Sequence, residues 1–289
     1  MRRGAAALLL LVGLGLGACT SGEQPSRSSS APVVQTTGVR GEVDPSSGTI
    51  ALPWDHYLLT STEHDDIVSA QGVAMIECVE AAGLTSAEQP RRVIKDNDTS
   101  RLYGVWLMRD AERYGYVLPE SKEKMAAIKG QSTGSVFSQA ELDQRAKCAT
   151  SALVTSLDTR TLDAGGPWVD EFSGVADAVR RTPAWHQATS AWAACLASAG
   201  FQADVDRLAA AGVDWNAVDK YQVEERDVKA AVADVACKEK TDLVQQLANL
   251  DASAQEPVVQ KYQAELEKSH ADLAAVHTHA IAILRDAGL

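Results

Sequence analysis

The chain of 289 residues is 45% apolar, 23% charged and only 5% aromatic, and carries a formal net charge of −12. Its length supplies one large domain or two small ones. The excess of 39 acidic over 27 basic residues argues against nucleic acid as a partner, because phosphates are repelled. Forty-seven alanines favour helix, the conformation in which Ala ranks best.

Arg2 and Arg3 precede a mostly apolar stretch, Gly4 to Leu16. Thirteen residues are too few to span a bilayer core of roughly 30 Å, which takes about 20. The stretch fits the apolar region of a secretory signal. It ends in Leu16-Gly17-Ala18-Cys19, which resembles the lipobox of bacterial lipoproteins, where a peptidase cuts before a cysteine whose thiol carries diacylglycerol. The twin arginines lack the flanking pattern of a twin-arginine signal, so the general secretory route is expected. Residues 1–18 are then a signal peptide and Cys19 is the lipid attachment site. Their removal leaves a body of charge −14, held off anionic headgroups and wall polymers. The covalent lipid is the only membrane attachment expected.

Residues 19–50 are rich in Ser, Gly, Thr and Pro and are expected to form a flexible tether reaching roughly 30 Å, with a short edge strand at Val33 to Val39 as the alternative. A helix is expected from a Thr62 cap through an acidic first turn, with Ile67, Ala70, Ala74, Cys78 and Ala81 on one face and Gly83 as its stop. The segments Arg91–Ile94 and Leu102–Met108 read as short strands or irregular loop. Ser138 and Glu141 form a capping-box pattern ahead of another helix. Thr182-Pro183 caps a third, closed by Gly200. Near the C-terminus, Val259, Leu266, Leu273 and Ala280 recur every seven residues. Two long helices, about 223–248 and 256–286, packed as an antiparallel hairpin account for this stripe better than a dimerising coiled coil, because Ser269 interrupts the seam. The expected fold is all-α, a helical bundle with a subdomain at 51–165, another at 166–289, and the long hairpin at its end.

Without Cys19, an even set remains: Cys78, Cys148, Cys195 and Cys237. In an exported chain these are expected to form two disulfides, for which three connectivities exist. Cys78-Val79-Glu80-Ala81-Ala82-Gly83-Leu84 echoes Cys195-Leu196-Ala197-Ser198-Ala199-Gly200-Phe201, and each is followed by one further helix-borne cysteine. The echo favours Cys78–Cys148 and Cys195–Cys237. No pair has the C-x-x-C spacing of a zinc site.

Trp192-Ala193-Ala194-Cys195-Leu196, then Gly200-Phe201, then Ala231-Val232-Ala233-Asp234-Val235-Ala236-Cys237, resembles a group of actinobacterial exported proteins and lipoproteins with the pattern W-x-x-C, Gly-aromatic, A-x-A-D-x-x-C. Arg113-Tyr114-Gly115-Tyr116 resembles a YGY element of the same group. The resemblance covers residues 70–289. It implies an envelope location and disulfide staples, and it brings no activity.

Other motifs read blandly. Gly130-Gln131-Ser132-Thr133-Gly134 matches G-x-S-x-G, but no strand-to-helix turn surrounds it. His270 and His277 share a helix face roughly 10 Å apart along the axis, and His279 points elsewhere, so no metal site is expected. The carboxylate groups Asp65/Asp66, Asp170/Glu171 and Glu224/Glu225/Asp227 read as first-turn or solvated charges. Of the scattered tryptophans, Trp185 and Trp192 read as core. No catalytic residue and no cofactor beyond the Cys19 lipid are expected. The function expected is a non-enzymatic envelope lipoprotein on the extracytoplasmic face that binds a partner protein or wall component. A wall-modifying hydrolase, which needs converging carboxylates, and the solute receptor of an uptake transporter, which needs two α/β lobes, are the alternatives.

Overall fold

A computed structural model describes residues 38–93, 99–118, 137–163 and 165–289. The chain enters through an antiparallel hairpin, β1 (Glu42–Asp44) and β2 (Thr49–Ala51), with Val43 opposite Ile50. The Asp44 carboxylate closes its turn, accepting from the Ser46 backbone N–H at 2.8 Å and the Ser47 hydroxyl at 2.7 Å. Residues 38–50 are thus part of the body, which corrects the expected tether over that stretch. Val39, Val43 and Ile50 pack on the core, and the body also holds the backbone: Gln245 donates to the Gly41 carbonyl and Ser253 to the Val39 carbonyl. The rest of the tether, with Cys19 and the signal segment, lies outside the described residues.

Helix α1 (Ser61–Ala81) starts two residues earlier than its sequence suggests. Thr60, not Thr62, is the cap: its hydroxyl accepts from the Glu63 N–H, and the Glu63 carboxylate accepts from the Thr60 N–H at 2.8 Å, a reciprocal capping box. Gly83, at φ +80°, follows the helix as expected. The segment 99–107 makes no strand, yet it buries Tyr103, Val105, Trp106 and Leu107 before entering α2 (Met108–Tyr114). Ser138 caps α3 (Gln139–Cys148), but the reciprocal half of its box is absent. The Glu141 carboxylate turns away and accepts from the Ala87 N–H at 3.0 Å, tying α3 to the chain beyond α1.

Short helices α4 (Ala152–Thr155) and α5 (Arg160–Asp163) lead to α6 (Val169–Arg180) and α7 (Pro183–Ser198), the latter capped by Thr182 with Pro183 in its first turn. After α7 come a two-residue pair, β3 (Ala203–Asp204) with β4 (Ala209–Ala210), and the single turn α8 (Trp215–Val218). Three helices end the chain: α9 (Glu225–Lys240), α10 (Leu243–Lys261) and α11 (Gln263–Asp286).

The fold is all-α with minor strands and two disulfides, Cys78–Cys148 and Cys195–Cys237, the pairing favoured by the sequence echo. The composition of the C-terminal hairpin needs correction. Asp242, at φ +51°, breaks the first expected helix, and Tyr262 breaks the second; Pro257, expected at a helix start, lies inside α10. The main helical neighbour of α11 is α1, not the helix before it. The heptad stripe is nonetheless buried at Val259, Leu266, Leu273 and Ala280. Val259 and Leu266 join one apolar cluster and Ala280 another.

Two apolar clusters result. The larger joins the 99–107 segment, α2, α6, α7, α9 and α10, and takes in Leu266 of α11. The smaller packs Ile67, Ala70, Val73 and Ala74 of α1 with Leu157 and with Ala280 and Leu284 of α11. Each cluster draws on both sides of residue 165. Helix α11 reaches from one cluster to the other.

Candidate functional site

Trp192 and Cys195 lie three residues apart on α7, and Asp234 and Cys237 three apart on α9. Residues at that spacing share a helix face, so the two helices are joined twice, one turn apart. Cys195 bonds Cys237, and the Trp192 indole N–H donates to Asp234 Oδ1 at 2.9 Å. The W-x-x-C and D-x-x-C spacings thus have one geometric explanation.

Tyr116 completes the unit from the other side. Its hydroxyl donates to Asp234 Oδ2 at 3.2 Å and accepts from the Ala210 N–H at 2.9 Å, linking the turn after α2 to α9 and β4. Gly115 makes this reach possible. It has φ +59° and ψ −123°, and a Cβ there would stand 3.2 Å from the Val228 nitrogen of α9.

A residue that the sequence did not single out is central. Lys238 is fully buried, and its ammonium donates to the carbonyls of Val105 at 2.7 Å and Leu208 at 2.6 Å and to Asp234 Oδ2 at 3.1 Å. All three donors are used. Gly104, at φ +74°, permits this: a Cβ would lie 2.5 Å from the Leu208 carbonyl oxygen and 3.0 Å from the ammonium. Burial lowers the Lys238 pKa and raises that of Asp234, and each charge partly restores the other. The 99–107 segment has a second fastening, where the Tyr103 hydroxyl donates to Asp251 of α10 at 2.6 Å.

Upon this framework opens a cavity of about 470 Å³, within the usual range for small-molecule sites of roughly 300–1,000 Å³. Its buried base includes Val105, Tyr116 and Ala209, and its less buried side includes Leu118, Trp215, Val218 and Tyr221. The Tyr116 and Trp215 rings meet at a tilt of 55°, with centroids 5.8 Å apart. Two of the described non-glycine residues with positive φ belong to this neighbourhood, Tyr221 in the lining and Leu208 beside Ala209. Such conformations cost energy and cluster at binding sites.

Arg101 and Arg207 supply the cationic part of the lining, and Asp219 its carboxylate. Arg101 is largely buried. Its Nη2 approaches the Val117 carbonyl at 3.5 Å and Asp110 at 3.9 Å, while its Nε and Nη1 are enclosed without a hydrogen-bond acceptor. Burial lowers its pKa, and Asp110 only partly opposes that. Arg207 is more than half exposed, 3.3 Å from Asp204, with its guanidinium carbon 5.3 Å from the centre of the Trp215 ring.

The other sequence candidates fall elsewhere. Among the cavity's lining, the motif residue is Tyr116 and the tryptophan is Trp215. Trp185 and Trp192 are buried, as expected. Trp54 stacks on Phe172 with ring centroids 4.2 Å apart. Of the three acidic groups, Glu171 pairs with Lys261 and Tyr262, Asp66 meets Arg92 and His277, and Asp227 pairs with Arg226. None lines the cavity. His270 and His279 are exposed, and among the described residues no three metal-ligating side chains converge. The G-x-S-x-G run lies outside the described residues. No described helix is long and apolar enough to cross a membrane. No protein-family model, curated protein or solved structure matches the chain.

Proposed function

We propose that this chain is a lipoprotein of the cell envelope, held on the extracytoplasmic face of the membrane by diacylglycerol on Cys19, with a non-enzymatic binding module as its body. The ligand occupies the cavity between Arg101 and Trp215. The observation that carries this reading is the cavity itself: an aromatic and apolar lining with two arginines, set on helices held by a disulfide and a buried hydrogen-bond network. A rigid base of this kind keeps binding groups in place before the ligand arrives.

The anchor is supported by the Leu16–Cys19 motif and by cysteine arithmetic. The two disulfides pair Cys78, Cys148, Cys195 and Cys237 with one another, which leaves Cys19 out of both. Against a glycan hydrolase stands the lining, which offers Asp219 where two carboxyl groups are required. Against a transporter's solute receptor stands the sheet content of the described residues, two antiparallel two-stranded pairs in place of α/β lobes.

Each half of the proposal has its own test. Cys19→Ala is expected to leave the membrane fraction and to lack the diacyl mass; a variant that stays membrane-bound and unmodified overturns the anchor. For binding, a benzophenone amino acid at Val218 on intact cells is expected to capture an adduct that the same probe at exposed Glu267 does not. Identical labelling at both positions overturns the cavity as the binding site.

A further inference from the structure

From the hydrogen-bond inventory of the cavity we infer its ligand class: a small planar aromatic molecule carrying a single carboxylate, held by Arg101 and Arg207. This rests on the reading of the cavity as the binding site and goes on to say what fits it. The body of the ligand follows from Tyr116, Trp215 and Val218, whose rings and branched side chain present flat apolar surface. Its polar group follows by elimination. The Tyr116 hydroxyl is spent on Asp234 and Ala210, and the Lys238 ammonium has all three donors satisfied. The cationic groups in the lining are the two arginines, and they set the charge of the ligand.

A guanidinium has donors and no acceptor, so its complement is an acceptor, best an anion that takes two N–H groups together. Among the described residues, Arg101 Nε and Nη1 are enclosed without a partner, and the Asp110 carboxylate oxygen, at 3.9 Å, is beyond hydrogen-bond reach. Buried donors of this kind are rare in folded proteins, and a small turn of the side chain toward the lumen would give them an acceptor. Arg207 stands over the Trp215 ring, 3.3 Å from Asp204, in the same lining as Arg101. Asp219 in the same lining repels a second negative charge, which selects a monoanion.

The test uses matched probes, 2-naphthoate and its neutral isostere 2-naphthamide, titrated calorimetrically into the intact chain in nanodiscs with protein-free nanodiscs as blank. Naphthoate is expected to bind at least about tenfold more tightly. Arg207→Gln, at an exposed side chain, is expected to cost roughly fivefold or more for naphthoate and nothing for naphthamide, with Arg285→Gln as the distant control. Arg101→Gln is expected to act likewise and is interpreted where its thermal melt matches the parent's. Trp215→Ala is expected to weaken both probes. Equal affinity for the two probes overturns the carboxylate while leaving the cavity as a binding site. Binding of neither probe to a folded chain overturns the aromatic ligand, and the adducts at Val218 then judge the cavity separately.

Discussion

Lys238 shows how one side chain can hold together parts of a fold that lie far apart in sequence. Its ammonium bonds the 99–107 segment at Val105, the turn between β3 and β4 at Leu208, and its own helix at Asp234. Lys238→Met keeps much of the volume and leaves two carbonyl oxygens and a buried carboxylate short of a donor. Breaking a buried pair from one side costs about 3–5 kcal/mol, and urea unfolding at pH 7 is expected to show a loss of that size. A loss below about 1 kcal/mol, the net worth of one ordinary hydrogen bond, would show that the ammonium does not hold the segment. Gly115→Ala is expected to cost about 1–3 kcal/mol, because it adds a Cβ against α9 in a backbone conformation that suits glycine. A melting temperature equal to the parent's would refute that. In the sequence, Trp192, Asp234, Gly115 and Tyr116 stand out through the motifs that carry the resemblance to exported proteins. Lys238 does not: a lysine four residues after an aspartate on a helix reads as a solvated pair, and only tertiary burial gives it another meaning. Arg101 and Arg207 are equally illegible, being loop arginines more than a hundred positions apart that share the lining of one cavity.

At the scale of elements, local signals carried well and pairing did not. Thr182, Ser138, Gly83 and Gly200 mark helix ends because caps are decided within a few residues. The heptad stripe of α11 identifies a buried face, but periodicity does not say what covers it. The cover is largely α1, about two hundred residues away in sequence, which no local repeat identifies. The two disulfides act on unequal elements. Cys195–Cys237 joins α7 and α9, which Trp192 and Asp234 already hold inside the larger core. Cys78–Cys148 joins α1 to α3, where Glu141 and Cys148 are the buried residues. Closing loops of 70 and 42 residues is worth about 4 kcal/mol each on the chain-entropy estimate. The structural consequences should differ. In the Cys78→Ser/Cys148→Ser variant, amide exchange is expected to rise sharply over residues 139–148 while α7 and α9 stay protected. Uniform acceleration across the chain would show instead that α3 is integral to the global unfolding unit.

The whole molecule carries a formal charge of −12 together with acids buried in its interior, and these features bias its stability in the same direction as pH changes. Burial raises the pKa of Asp251 on α10. A carboxyl whose pKa is raised by folding takes up its proton more readily in the folded state. Its contribution is therefore complete below the ordinary value of 3.8 and is lost as pH climbs through the raised value. Protonation also relieves the repulsion among excess negative charges in the compact state. Other acids oppose this at lower pH. Glu63 is held down first by the Thr60 N–H, Glu171 first by Lys261, and Asp44 and Asp158, at about 2, by Ser46 and Arg160. Their contributions stand above the ordinary carboxylate range and fail as pH falls through their lowered values. Stability is therefore expected to rise from neutral pH toward the ordinary carboxylate range and to fall below it. Asp251→Asn offers a direct check, since an amide oxygen still accepts from Tyr103 and has no charge to desolvate. Urea unfolding between pH 7.5 and 3 is expected to find the variant at least as stable as the parent at pH 7, with a smaller gain on acidification. A parent profile that is flat between pH 7 and 5, or an Asp251→Asn variant with the parent's slope, would show that the buried acids do not set the pH response.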